Sequence, residues 1–190
     1  MKRFLLATLL AATGFTANAT VIDFNGVTGN SDTSYATQYQ EDGFQLIAEN
    51  LATIRPNDTN RYTGSTSFYD NYINGFTTLT KIGGGAFALD SIDLDGYSRS
   101  AANVTFIATL LNNATTSLTF TTNASYGLQT FAFTSAFDNV KSVSWQQVSP
   151  YHTFDNIVVN AAQVPEPGTV AMLGLGLLAF TAARRKSAKK

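Results

Sequence analysis

The sequence predicts an all-β fold, an antiparallel sandwich, with a signal peptide before it and a short transmembrane helix after it. Three observations carry this. Between Thr20 and Gln163, apolar and polar residues alternate in short runs, the period of a half-buried strand. Gly, Asn, Ser and Thr separate the runs, and no helical period interrupts them. The two ends break the pattern, since each sets an apolar stretch beside Lys and Arg.

Met1–Ala19 reads as a secretory signal peptide. Lys2 and Arg3 form a positive start, Phe4–Ala12 an apolar stretch, and Ala17-Asn18-Ala19 a small-residue cleavage pattern. This predicts export through the general secretion machinery, cutting by signal peptidase and a mature start near Thr20.

The body, 20–163, has 144 residues, enough for one sandwich-sized core. Early strands are expected at Val21–Phe24, Gly43–Ala48, Phe76–Ile82 and Phe87–Leu94. Asn103–Leu111 alternates Val104, Phe106, Ala108 and Leu110 on one face. Thr116–Thr121, Gly127–Phe133 and Val140–Gln147 repeat the pattern, with Trp145 facing the core. Phe154–Val159 closes the sheet. Phe87 and Leu89 are out of phase with Ile92 and Leu94, so a β-bulge near Asp90-Ser91 is needed to bury all four. Asn112-Asn113 marks a hairpin, because Asn tolerates left-handed backbone angles. His152, next to Tyr151, is expected at the surface.

After the body, Val164–Gly168 carries two prolines, which break regular structure. Thr169–Ala183 is apolar apart from its threonines, and Arg184–Lys190 is basic. The 14 residues of Val170–Ala183 span roughly 21 Å as a helix, short of a ~30 Å hydrocarbon core. Insertion therefore needs a thinned bilayer. The basic end stays cytoplasmic by the positive-inside bias.

Pro165-Glu166-Pro167, the short Gly/Leu-rich helix and the Arg-rich end resemble, in that order, the PEP-CTERM sorting signal of exopolysaccharide-producing bacteria. The resemblance covers Val164–Lys190. It implies recognition by an exosortase, a membrane transpeptidase-like protease. Pro165, Glu166 and Pro167 are then a substrate motif, with Arg184 and Arg185 as the basic stop.

Composition narrows the functions. The chain has no cysteine, which excludes disulfides, a thiol nucleophile and a cysteine zinc site. One histidine excludes any site needing two imidazoles. The net charge of −1 hides a body with five basic and twelve acidic residues, a balance of −7. Such a body does not bind nucleic acid.

Val21-Ile22-Asp23-Phe24, Phe87–Leu94 and Phe154-Asp155-Asn156-Ile157 resemble the jelly-roll bodies found upstream of PEP-CTERM tails. Those bodies look like carbohydrate-binding modules and lectin-like sandwiches. The resemblance makes the expected fold a jelly-roll-like sandwich.

Two candidate sites follow. Asp23 and Asp155 fall on the first and last strands, which are often neighbours in jelly rolls. Their oxygens could hold a structural Ca²⁺; alternatively Asp155-Asn156 is a turn and Asp23 a solvated residue. Asp93-Leu94-Asp95-Gly96 has the start of a calcium loop without its closing Glu, and reads as a turn. Tyr62, Tyr69, Asp70, Tyr72 and Tyr97, with Arg61, combine aromatic faces with polar partners. Sugar rings stack on such faces, and the polar groups bond hydroxyls; alternatively these are strand-edge tyrosines.

No catalytic motif stands out. There is no G-x-S-x-G elbow, and Gly83-Gly84-Gly85 lacks the Lys-Ser/Thr of a phosphate loop. The sequence reads as a non-enzymatic surface or biofilm-matrix protein that meets extracellular polysaccharide. A secreted glycan hydrolase and a purely structural matrix protein are the rival readings.

Overall fold

The computed structural model describes residues 19–27, 36–58 and 60–160. All but Ala19 of the expected signal peptide Met1–Ala19, the transmembrane helix over 169–183, and Pro165, Glu166, Pro167, Arg184 and Arg185 lie outside the described residues. Among the described residues no helix is long and apolar enough to cross a membrane.

The described chain is built from strands, with one 3₁₀ turn at Ser135–Phe137. The strands are β1 (Thr20–Ile22), β2 (Ala36–Glu41), β3 (Phe44–Ile54), β4 (Ser67–Asp70), β5 (Phe76–Lys81) and β6 (Leu89–Gly96). β7 (Asn103–Leu110), β8 (Thr115–Thr121), β9 (Gln129–Ala132), β10 (Val140–Gln146) and β11 (His152–Val159) complete the set. Hydrogen bonding runs in the order β8-β7-β10-β5-β3-β4-β11-β6-β9, with β1 on β11 and β2 on β3. The pairings are antiparallel.

This path folds over into two layers. Its two end strands meet through side chains, with Phe120 of β8 stacked on Phe131 of β9 at 4.9 Å. β3 carries the fold-over. Phe44–Ile47 pairs with β5, while Leu51–Ile54 pairs with β4. Against β2 the register jumps from Gln38↔Ile47 to Ala36↔Leu51. β3 thus spends extra residues around Ala48–Asn50, which bends the strand.

The layers enclose one aromatic core. Trp145 of β10 lies 5.3 Å from Phe106 of β7 and 5.0 Å from Phe154 of β11. Phe24 meets Phe68 edge-on at 4.6 Å and Phe154 at 5.9 Å. Each such side chain contributes about 1.5–3 kcal/mol when fully buried.

The bulge needed by the sequence is present. On β6, Ser91 faces Val158 and Leu89 faces Val159, so Asp90 is the extra residue. Phe87, Leu89, Ile92 and Leu94 are all buried. The β7–β8 turn places Asn113 at φ +66°, and the Leu110 N–H donates to the Ala114 carbonyl at 2.8 Å.

Three features differ from expectation. β2 and β4 were not predicted, because Tyr-, Gln- and Ser-rich segments carry no apolar alternation. β3 runs to Ile54, beyond Ala48. His152 is fully buried, not at the surface. It opens β11 opposite Gly96, and its Nδ1 lies 3.3 Å from the Gln147 amide. Burial pushes the imidazole down to about 3, so it is neutral at neutral pH.

Candidate functional site

A second, smaller apolar cluster lies apart from the main core. Ala52 and Ile54 of β3 and Tyr69 of β4 form its buried base. Ala52 and Tyr69 are cross-strand partners, so they share a face. Tyr62, Tyr97 and Tyr151 pack against this base. Tyr97 lies 5.3 Å from Tyr69 and 5.8 Å from Tyr151, and Tyr69 lies 6.1 Å from Tyr151.

Two loops hold this cluster. The β3–β4 loop is wound on Asp58, whose carbonyl accepts the Arg61 and Tyr62 N–H groups at 3.1 and 2.8 Å. The buried Asp58 carboxylate ion-pairs with the Arg61 guanidinium. After β6, the Tyr97 N–H donates to the Tyr151 carbonyl at 2.8 Å. Ser98 and Arg99 then adopt φ +59° and +60°. That left-handed region is uncommon for residues other than glycine. Two left-handed residues in a row reverse the chain and bring Arg99 beside the first loop. Gly96 permits the reversal, since a Cβ there would lie 1.8 Å from the Ser100 carbonyl oxygen.

Between the loops opens a cleft of about 490 Å³ lined by Asn60, Arg61, Ser98 and Arg99. Each arginine rests on a tyrosine. The Arg61 guanidinium carbon is 4.7 Å from the Tyr97 ring centroid, and that of Arg99 is 5.6 Å from Tyr126. Both distances fall within the ~6 Å reach of a cation–π contact. The hydroxyl of Tyr126, from the β8–β9 loop, donates to the Tyr62 carbonyl, which ties this third loop to the first.

Of the five residues expected to bind glycan, the structure gathers Tyr62, Tyr69 and Tyr97. Tyr69 is buried as the floor of the cluster, not offered as a platform. Asp70 does not join it. Strand alternation turns Asp70 to the opposite face, where its Oδ1 accepts the Tyr72 N–H at 3.1 Å. Tyr72 is 60% exposed in the turn before β5 and also lies outside the cluster. Tyr151, Tyr126 and Arg99 escaped the sequence reading. Only the pairing of β6 with β11 brings Tyr151 in, and only the left-handed turn brings in Arg99.

Asp23 and Asp155 do sit at neighbouring strands, since β1 pairs with β11. Each carboxylate has a hydrogen-bond donor close by in sequence. Asp23 Oδ1 accepts the Asn25 N–H at 3.0 Å, a bond that holds its carboxyl below the usual range. Asp155 is fully buried, and its Oδ1 accepts the Asn156 N–H at 2.7 Å. Burial, with smaller repulsion from Asp93 and Asp23, pushes it up to about 6. Among the described residues no three His, Asp or Glu side chains gather to hold a metal. Asp93 is spent on Thr130 and Asn156, whose Oγ1 and Nδ2 donate to it at 2.6 and 2.9 Å.

Beyond the body, residues 163–186 match the PEP-CTERM protein-sorting motif. The chain carries a PEP-CTERM sorting signal. The match contains Pro165-Glu166-Pro167, the apolar stretch and Arg184-Arg185. A PEP-CTERM tail marks a protein for export and for sorting by an exosortase.

No curated protein matches the chain in sequence. Among solved structures, a mutant form of the family 29 carbohydrate-binding module CBM29-2 is similar over 76% of this chain and 91% of its own. Its identity is 13% and its TM-score 0.44. The family 11 carbohydrate-binding module of a cellulosomal cellulase from Clostridium thermocellum is similar over 79% of this chain and 98% of its own. There the identity is 10% and the TM-score 0.34. At these values no binding residue is carried across, and the sandwich stands on its own strand pairing.

Proposed function

We propose that this is a non-enzymatic surface or matrix protein that binds extracellular polysaccharide through the tyrosine–arginine cleft. The observation that carries it is the pairing of Arg61 with Tyr97 and of Arg99 with Tyr126 around an open cleft. Sugar recognition combines flat faces with fixed polar groups; here the two tyrosine-backed guanidinium planes and the Asn60 and Ser98 side chains line the cleft. The stacks hold long side chains in place before ligand arrives, which lowers the ordering cost of binding.

The sorting tail completes the account. Pro165, Glu166 and Pro167 are the segment an exosortase reads. Arg184 and Arg185 stay on the cytoplasmic side. Export then delivers the body to the cell surface or the biofilm matrix, where polysaccharide is abundant. Signal peptidase acts at the other end, near Ala19.

Co-sedimentation of the full chain with exopolysaccharide, prepared from the cells that make it, tests the body. Saturable binding that Arg99→Ala weakens is expected. Failure to bind excludes the glycan reading and leaves a structural surface protein. Replacing Pro165-Glu166-Pro167 by alanines tests the tail. The altered chain should accumulate in the inner-membrane fraction, and unchanged delivery to the surface contradicts the sorting role.

A further inference from the structure

We infer that the cleft selects an anionic glycan, one bearing carboxylates such as a polyuronate, over a neutral one. The inference rests on the glycan reading above and narrows it to a ligand class.

The charge distribution points there. The body holds only five basic residues against twelve acidic ones. Two of the five, Arg61 and Arg99, line the same cleft. A neutral sugar needs no such concentration, because hydroxyl groups are bonded as readily by Asn, Asp or Gln. A guanidinium presents planar donors that match a carboxylate with two parallel bonds.

The local partners leave cation available. The carboxylate paired with Arg61 is Asp58, which meets it at Nε. Arg99 is exposed and rests on the neutral Tyr126 ring. Within the cleft Asp58 offsets the charge of Arg61, so Arg99 sets the sign.

The backbone supports the same reading. Ser98 and Arg99 hold consecutive left-handed conformations without glycine. Such conformations are disfavoured and cluster at ligand-binding sites. Here the result is to bring Arg99 to the cleft.

Calorimetric titration of the full chain, solubilised in mild detergent, tests this with three probes. They are polygalacturonate, neutral cellohexaose and dextran sulfate. We expect saturable binding of polygalacturonate at least tenfold tighter than of cellohexaose. Arg99→Gln should weaken polygalacturonate at least tenfold and cellohexaose far less, so that the preference between the two collapses. Arg99 is exposed, so this variant should keep the wild-type circular dichroism spectrum. Arg99→Lys, which keeps the charge and loses the planar fork, should fall between. Equal binding of polygalacturonate and cellohexaose, indifferent to Arg99→Gln, overturns the inference while the glycan reading stands. Preference for dextran sulfate over polygalacturonate overturns the carboxylate class. Binding of none of the three, together with no binding to the cells' own exopolysaccharide, overturns both readings.

Discussion

The Arg61 guanidinium lies 4.7 Å from the centre of the Tyr97 ring, joining two loops that are 36 residues apart in sequence. The contact holds the arginine at the cleft and covers the ring. Tyr97→Leu should therefore act on both. Polysaccharide affinity should fall at least tenfold, about 1.4 kcal/mol. Stability should fall by about 1–2 kcal/mol, through lost ring packing and the lost cation–π contact. Tyr97→Phe should stay close to wild type in both. Thermal melting and calorimetric titration read the two effects separately.

Gly96 sets the turn that carries Tyr97 and Arg99. A Cβ there would fall 1.8 Å from the Ser100 carbonyl oxygen, which is backbone and cannot swing away. Gly96→Ala should cost on the order of 1–3 kcal/mol, the usual range for overpacking. It should also weaken glycan binding by displacing Arg99. Gly43→Ala gives a contrast. Gly43 has open space around its Cβ position but φ +82°, so its cost is conformational and the cleft is untouched. Chemical denaturation and titration of the two variants check this.

Trp145 is almost fully buried between Phe106 and Phe154, and its indole N–H has no acceptor among the described residues. Trp145→Ala should cost about 3–5 kcal/mol, as large-to-small core changes do. Trp145→Phe should cost under about 1.5 kcal/mol, because losing an unsatisfied donor offsets part of the lost volume. Equal loss in both variants, measured by denaturant unfolding, contradicts this account of the core.

Much of the fold was legible because alternation reports burial directly. Val104, Phe106 and Ala108 alternate with exposed residues along β7, as the sequence implies. The bulge at Asp90 was legible because two apolar pairs had incompatible phases. β4 was not legible. All four of its residues are buried, so Ser67–Asp70 shows no alternation. The candidate site was half legible for the same reason. Tyr62 and Tyr97 stand out as tyrosines near polar partners. Tyr151 and Tyr126 join only through strand pairing and loop contacts, which no local pattern encodes. His152 misled because a lone polar residue beside Tyr151 looks solvated, while the structure buries it at the start of β11.

Two buried groups should give stability opposite responses to acid. His152 is held down to about 3. Below about pH 6.5 the unfolded chain protonates this histidine and the folded chain does not. Stability from His152 is therefore lost as pH falls from 6.5 toward 3. Asp155 is held up to about 6. Between about pH 4 and 6 the folded chain binds the proton more readily, so its contribution is present at low pH and lost as pH rises through 6. From pH 7 to pH 5 the histidine should remove about 2 kcal/mol and the aspartate add about 1 kcal/mol. His152→Gln should then gain stability relative to wild type on acidification, and Asp155→Asn should lose it. Urea unfolding of the three proteins at both pH values decides the signs.

The most direct test of the central claim is the affinity of the full chain for the cells' own exopolysaccharide, with wild type compared to the Arg61→Ala/Arg99→Ala double variant by calorimetry. The account predicts saturable heat with the wild type and at least a hundredfold weaker binding with the variant. No heat with the wild type, or the same affinity in both proteins, would contradict it.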